Sequence, residues 1–527
     1  MIDHTVEGKR ERILILGAGI MQGPAIRCAK EMGLETVVID GDPRAPLSVE
    51  ADRFECIDLK DIHKIEALAR TLMAEGGLRG VMTAGTDFSA SVAWTAEKTG
   101  LPGISYETAL DASDKERMRR RFSQGGLPSP AFTVMTGVPP ASSFQGLPFA
   151  YPGVVKPVDN MGSRGCRRVD NFTELREAVE EALVFSRSRR VIVEEYMEGP
   201  EFSVDAVIYQ GQVTICGLAD RHIYFPPYFI EMGHTMPTRI PQKDQEALTE
   251  LFIRGIRALG IDNGAAKGDI KLTKKGPMIG EIAARLSGGY MSGWTYPYAS
   301  GAEPCRGAIC AALGIPPRGL EPVKNWTSAE RAFISIPGLV RSIRGTEEAL
   351  AIPGMRDLFL RIRPGQRVLF PENNVSKGGN VISALPDREA AAAAADRAAR
   401  SILIRLAAPD EETGAFLAGP LEGPCFPPPA FALDRKLREE LAQLPEPVPK
   451  TAGRGDPPKF QPFWGFLNSD IRDYMGRSPG ETLGAIQTLT GLAPETLPLG
   501  RGFWTALIRG GYQGGAYYID RLMGDSP

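Results

Sequence analysis

Residues 268–289 read GDIKLTKKGPMIGEIAARLSGG. Lys274-Lys275-Gly276 separates two strand-like runs, so the stretch predicts a β-hairpin. Asp269 lies on its first strand and Glu281 on its second, and Arg285 follows four residues later. Carboxylates paired across a hairpin can bind magnesium, which takes oxygen ligands and bridges phosphates. An arginine beside them can neutralise a developing phosphoryl charge. A lone pair of this kind is more often a solvated strand face, so its meaning depends on what the rest of the chain supplies.

Upstream, four features stand in order. Lys115 is near the start of a helix that ends in Gly126-Leu127-Pro128. Lys156 ends the apolar strand VVKP, and the turn Asn160-Met161-Gly162-Ser163-Arg164-Gly165 follows. Glu194-Glu195-Tyr196 ends another strand, and Glu201 comes seven residues after Glu194. Two lysines supply point charges for phosphate oxygens. A glycine-bearing turn leaves backbone N–H groups accessible to cradle phosphate. Each part alone is ordinary; the ordered set from Lys115 to Arg285 predicts handling of a nucleoside triphosphate.

The 527 residues predict three to four domains at roughly 150 residues each. With 61 Lys+Arg against 64 Asp+Glu, the formal charge of −3 argues against a chain built mainly to hold nucleic acid. A composition of 43% hydrophobic and 24% charged residues excludes wholesale disorder. No apolar run approaches the ~20 residues that span a bilayer, and the first strand lacks the flanks of a signal peptide. Seven scattered Cys without a C-x-x-C predict reduced thiols and a cytoplasmic setting, and four His make a His-ligated metal centre a poor fit.

Repeated βα signals over residues 1–111 predict a parallel sheet flanked by helices. Residues 112–320 divide into lobes of about 112–190 and 191–320, the first opening with one charged helix, DASDKERMRRRFSQGG. Residues 321–408 predict a smaller α+β part that ends in an Ala-rich helix from Asp387 to Leu406. Residues 409–459 are Pro-rich and predict a linker. Residues 460–527 hold about ten aromatics and many glycines and predict an appended, mostly helical module, packed on the rest or at a subunit interface.

The turn Gly17-Ala18-Gly19-Ile20-Met21-Gln22-Gly23, with Asp40 ending the next strand, half-matches the dinucleotide fingerprint. Gln22 stands where the third glycine belongs, so the expectation is a tight βα turn that binds no dinucleotide.

The motifs DK-x10-GLPSP, VVKPVDNMGSRG, VIVEEYMEGPEFSVD and GDIKLTKKGPMIGEIAARLSGG resemble those of ATP-grasp carboxylate–amine ligases, most of all the L-amino-acid ligase (dipeptide synthetase) branch. The resemblance covers residues 12–400, roughly three quarters of the chain. It implies an α/β and α+β multidomain protein: an N-terminal Rossmann-like pre-ATP-grasp domain, a two-lobed ATP-grasp domain and a small C-terminal helical module. By the same resemblance, Lys115 and Lys156 contact ATP phosphates, and Gly162 to Gly165 with Ser163 form the phosphate lid. Glu194 accepts from the adenine amino group, the backbone of Glu195, Tyr196 and Met197 holds the ring, and Glu201 binds the ribose. Asp269 and Glu281 hold Mg2+, with Mn2+ as the alternative, and Arg285 faces the acyl phosphate. The implied reaction joins a small carboxylate to an amine, with no nucleic-acid or membrane partner; a homo-oligomer is left open.

Two positions depart from the pattern. The first metal position carries Asp269 where Glu is usual, and Ala283 stands where the family places an Asn. For substrate, Arg221, Glu231 and His234 in the aromatic loop after the third strand, and Arg285, Ser287 and Gly288, are the candidates. The rival readings are a carbamoyl- or formyl-phosphate enzyme of the same fold, a non-catalytic ATP-binding protein, and an NAD-linked enzyme.

Overall fold

Strands β1 (Arg12–Leu16), β2 (Glu35–Asp40), β3 (Arg53–Cys56) and β4 (Leu78–Thr83) pair in the order β3-β2-β1-β4, all parallel. Helices α1 (Gly23–Glu31), α2 (Ile62–Glu75) and α3 (Ser89–Thr99) alternate with them. Apolar side chains fill both faces: Ile13, Ile15 and Val38 enter one cluster, and Leu14, Leu16, Val37 and Ile39 another. Burial on both faces is why these strands read as continuous apolar runs. The computed structural model describes residues 5–6, 9–142, 146–423, 425–446, 462–492, 497 and 499–523.

In the first βα turn, Gln22 fills the space. Its Oε1 accepts from the Gly19 N–H at 2.9 Å, its Nε2 donates to the Ala84 carbonyl, and a Cβ on Gly17 would stand 2.9 Å from its Cδ. Asp40 is turned inward to accept from the Ala18 N–H at 2.8 Å.

Two compact units divide the chain. The first comprises Met1–Pro226, Gly233–Glu330 and Ala384–Ala391; the second comprises Pro227–Met232, Arg331–Ser383 and Ala392–Pro527. In the first unit the charged stretch 111–126, expected as one helix, is two: α4 (Tyr106–Ser113) and α5 (Lys115–Gln124). Asp114 between them is extended, and its carboxylate accepts from the N–H groups of Glu116 and Arg117, so it starts a new helix. Strands β5 (Phe132–Met135), β6 (Gly153–Pro157), β7 (Arg167–Val169) and β8 (Val191–Glu195) form an antiparallel sheet in the order β5-β8-β6-β7. Helix α6 (Phe172–Phe185) closes its core through Leu175, Ala178, Val179 and Ala182.

Strands β9 (Glu201–Tyr209) and β10 (Gln212–Tyr224) form a hairpin, followed by β11 (Ile230–Met236) and α7 (Gln242–Leu259). The predicted hairpin is β12 (Gly264–Thr273) and β13 (Gly276–Ala283), and β12 pairs antiparallel with β9. Gly268 lets α7 approach the sheet: a Cβ there would stand 2.6 Å from the Phe252 ring.

The second unit differs from its expected division. Strands β14 (Gly338–Arg344), β15 (Met355–Leu360) and β16 (Gly379–Leu385) precede α8 (Arg388–Ser401). The Ala-rich helix ends there, and Leu403–Leu406 forms β17, paired antiparallel with β14. The run Ile402 to Leu406 alternates too little for a helix face and is buried throughout. The expected linker holds α9 (Glu411–Leu417) and α10 (Arg435–Gln443), whose Phe416, Leu417, Leu437 and Leu441 join a core with Val340, Ile404, Phe503 and Trp504. The 447–459 part of that linker lies outside the described residues. Helices α11 (Trp464–Leu467), α12 (Pro479–Thr490) and α13 (Arg501–Met523) share this core, so they belong to the same unit as β14 and β17. Gly511, at φ 58°, breaks α13 into two helical pieces. No described helix is long and apolar enough to cross a membrane.

Two outcomes follow from this packing. Arg405 on β17 forms two hydrogen bonds to Asp520 of α13, at 2.8 and 2.6 Å, with both side chains 8% exposed. Arg405→Ala strands the Asp520 carboxylate and is expected to lower stability by about 3–5 kcal/mol, read from urea unfolding; an unchanged midpoint would show the pair to be inessential. All seven thiols are free, Cys56 is exposed, and burial pushes Cys28 up to about 12. Iodoacetamide at pH 8 should therefore alkylate Cys56 well ahead of Cys28, as read by peptide mass spectrometry.

Candidate active site

The four strands β13-β12-β9-β10 are two-sided. Phe202, Val204, Ala206, Ala266, Ile270, Ile279 and Ile282 point into a core shared with Phe252 of α7. The alternate positions carry the chemistry, because side chains two apart along a strand share a face. The register sets them in three rows: Arg221–Glu201–Lys271, then Ser203–Asp269–Glu281, then Asp205–Lys267–Ala283. Ile279 and Glu281 are also two apart, and in a regular strand both would face the core. The register shift beside Asp269 makes Gly280 the extra residue of a β-bulge, which turns Glu281 to the polar face opposite Asp269.

The acids on this face are met by cations. Arg221 pairs with Glu201 and places Nη1 2.9 Å from Asp269 Oδ1, where Ser203 Oγ also donates at 3.0 Å. Lys267 pairs with Asp269 Oδ2. Lys271 stands 3.4 Å from Glu201 and donates to the Met197 carbonyl at 3.1 Å.

Helix α5 brings two more. Lys115, Met118, Arg119 and Phe122 form its buried face. Lys115 Nζ lies 3.4 Å from Glu281 Oε1 and donates to the Asn160 carbonyl at 2.9 Å, which ties the helix to the glycine turn. Arg119 pairs with Glu194 at 2.8 Å and donates to the carbonyl of the bulged Gly280. Lys156 of β6 meets the other oxygen of Glu194 at 2.7 Å. In the turn, Gly162, Ser163 and Gly165 all adopt positive φ, between 59° and 69°.

Burial alone would raise Glu194 and Glu281, and the cations reverse it. Arg119 and Lys156 hold Glu194 below the usual carboxylate range. Lys115, Lys156 and Lys267 pull Glu281 down to about 2. Desolvation opposes the charge on Lys115, but Glu281 and Asp87 raise it above its ordinary value. Cys166, facing the same lysines, is pushed up to about 11 by burial, which makes it a poor nucleophile.

The parallel domain supplies the remaining wall. Ala84, just after β4, forms a parallel bridge with Leu286, and the Gly85 N–H donates to the Leu286 carbonyl at 3.2 Å. Asp87 then holds Arg285 through Nε at 2.8 Å and Nη2 at 2.7 Å. The chain beyond Arg285 is fixed by Asp205, fully buried, which accepts from the hydroxyls of Ser287, Ser292 and Tyr296. A Cβ on Gly217 would lie 2.3 Å from the Tyr296 ring, so that ring can reach Asp205 only over a glycine.

Of the residues expected from sequence, Lys115, Lys156, Glu194, Glu201, Asp269, Glu281 and Arg285 are thus linked through direct ion pairs or mutual electrostatic influence. Arg221 joins them through the acids. Glu195 instead meets Lys275 of the hairpin turn at 3.4 Å, and Tyr196 lies under Arg168 and Lys271. Ser287 is engaged by Asp205, and Gly288 lies against Gly85. His234 is buried with Nδ1 2.9 Å from Glu330, and Glu231 belongs to the second unit. Sequence reading missed Arg119, Lys267, Asp87 and Asp205. Arg119 had a signal: 115, 118, 119 and 122 are the i, i+3, i+4, i+7 positions of one helix face.

A triphosphate fits this donor set, since Lys115, Lys156 and Arg285 border the polar face. Glu281, ionised and 33% exposed, suits one divalent ion. Asp269, the expected first metal position, has both oxygens engaged by protein cations, and Ala283 offers no ligand. Among the described residues no three His, Cys, Asp or Glu side chains gather as a metal cage.

Residues 149–293 match the ATP-grasp domain family, and residues 332–407 match the L-amino acid ligase C-terminal domain 2. Carnosine synthase 1 of Gallus gallus is 26% identical over 338 residues, 60% of this chain but 36% of that protein. The uncharacterized protein y4rH of Sinorhizobium fredii is 25% identical over 390 residues, covering 72% of this chain and 79% of that one. The crystal structure of L-amino acid ligase from Bacillus licheniformis superposes with a TM-score of 0.65 at 22% identity, covering 76% of this chain and 99% of that one. That likeness establishes the fold.

Glu194 is 2% exposed and balanced by two cations. Arg119→Ala removes the ion pair with Glu194 and the hydrogen bond to the Gly280 carbonyl, and is expected to cost about 1.5–3 kcal/mol, the worth of one hydrogen bond from a charged group, as a lowered urea midpoint. Arg119→Lys should recover part of the loss; equal midpoints for all three proteins would remove Arg119 from the balance.

Proposed function

We propose that this chain, an ATP-grasp ligase, uses ATP to activate a small carboxylate as an acyl phosphate and joins it to an amine, releasing ADP and phosphate. The observation that carries the reading is that Glu281, on a desolvated sheet face, has Lys115 at 3.4 Å and feels the charge of Lys156, three residues from three separate elements. The L-amino acid ligase C-terminal match and the similarity to carnosine synthase support amino acids or related small acids as substrates.

A carboxylate resists attack because resonance and negative charge oppose the nucleophile. Its oxygen attacks the γ-phosphorus of ATP, the bond to the β-phosphate oxygen breaks, and ADP leaves. The amine then attacks the acyl carbon, loses a proton, and expels phosphate. The protein's contribution is positioning and charge neutralisation. Lys115 and Lys156 hold phosphate oxygens, and Arg285, set by Asp87, faces the transferring group. Glu194 accepts from the adenine amino group, the backbone of 195–197 borders the ring, and Glu201 takes the ribose. The turn from Gly162 to Gly165, anchored through Asn160, covers the phosphates and excludes water that would hydrolyse the acyl phosphate. A divalent ion, Mg2+ or Mn2+, on Glu281 would add charge neutralisation at the phosphates. Seven free thiols support work in a reducing cytoplasm.

Phosphate release measured across pairs of amino acids tests this. Release that requires one acid and one amine is expected; release driven by bicarbonate or formate alone would replace the reading, and nucleotide binding without turnover would end it. Lys156→Ala and Arg285→Ala should each lower the release rate by about 100-fold or more, the scale of losing one preorganised charge contact. Full turnover by both variants would take these residues out of the mechanism.

A further inference from the structure

The two hairpin acids are cross-strand neighbours in unlike surroundings. Asp269, with 13% of its side chain exposed, gives Oδ2 to the Lys267 ammonium and Oδ1 to Arg221 and Ser203. Glu281 is 33% exposed, and among the described residues its one ion pair is with Lys115, at 3.4 Å. Lys267 stands between Asp205 and Ala283 in its row, so its stem is flanked by a buried acid on one side and a methyl on the other.

Building on the ligase reading, we propose that Lys267 is a built-in cation that takes the place of a divalent ion at Asp269, so that the triphosphate binds here with one divalent ion, on Glu281. A metal at Asp269 would have to displace an ammonium and a guanidinium from the same carboxylate. It would then sit a few Å from both displaced charges in a desolvated site, where like charges repel strongly. Ala283 adds no oxygen to offset that. An ammonium, by contrast, is a compact point charge able to meet a phosphate oxygen directly. Asp269 therefore acts as a positioning residue that aims Lys267 and Arg221 along the polar face, and the usual ligand replaced by Ala283 is not missed.

The test counts metal on the full-length protein with Mn2+ and a non-hydrolysable ATP analogue. Free Mn2+ is read by electron paramagnetic resonance, and nucleotide binding is measured separately by calorimetry. One Mn2+ per chain is expected for the unaltered protein and for Asp269→Asn, none above the nucleotide's own affinity for Glu281→Gln, and two for Lys267→Met. Two Mn2+ in the unaltered protein, or one in both it and Lys267→Met, would overturn the inference while leaving the ligase reading intact. Absence of nucleotide binding would overturn the ligase reading and this inference together.

Discussion

Carboxylates on a desolvated sheet face, balanced by cations of that face and by others brought from α5 and β6, are the constraint around which the first unit is organised. The four-stranded face carries Glu201, Asp269 and Glu281 because its reverse is committed to an apolar core with α7. Burial alone would push Glu281, and likewise Glu194 of β8, toward protonation. Lys115, Arg119 and Lys156 reverse that, and each depends on the acids in turn. Helix α5 and the sheet β5-β8-β6-β7 therefore meet the polar face through charge, while α5 also packs Met118 and Phe122 into the core behind it. The same surplus of cations suits a polyanionic substrate.

The parallel domain contributes a second anchor of the same kind. Its strand ends present Ala84, Gly85 and Asp87 beside the segment that follows β13, and Asp87 aims Arg285. The C-terminal ends of parallel strands are where such sheets leave room for ligands. The first βα turn touches this anchor through Gln22, which closes the turn from within and donates to the Ala84 carbonyl, while Asp40 caps its backbone.

In the second unit, aromatic residues spread from Phe333 to Tyr518 settle into one core. Phe333, Phe416, Phe431, Phe466 and Trp504 come from segments that look unrelated along the chain. A proline-bearing stretch with few apolar residues reads as a linker because each of its short helices contributes only two or so core side chains. Those few suffice once a prepared apolar surface receives them. Proline content bears on backbone freedom and says little about burial.

The hairpin, the two lysines, the glycine turn and the alternating βα pattern were legible in sequence, because local propensity and spacing generate them without help. The turn at Lys274-Lys275 implied that the two acids lie near each other across the hairpin, but a regular register from that turn sets Asp269 against Gly280, so neither their pairing nor their facing was legible. Ile279 and Glu281 have the same parity, and it is the bulge at Gly280, formed between strands, that separates core from site. Asp87 and Arg285 lie 198 residues apart, and no local pattern connects them. Asp205 and Lys267 look like ordinary strand polar residues until neighbouring strands put them in one row with Ala283. The sequence by itself determined which chemistry-bearing residues exist and on which elements they ride, since backbone preferences act over a few residues. Which charge meets which was decided by the tertiary structure alone, because desolvation and Coulomb energy depend on distance in space and not on distance along the chain.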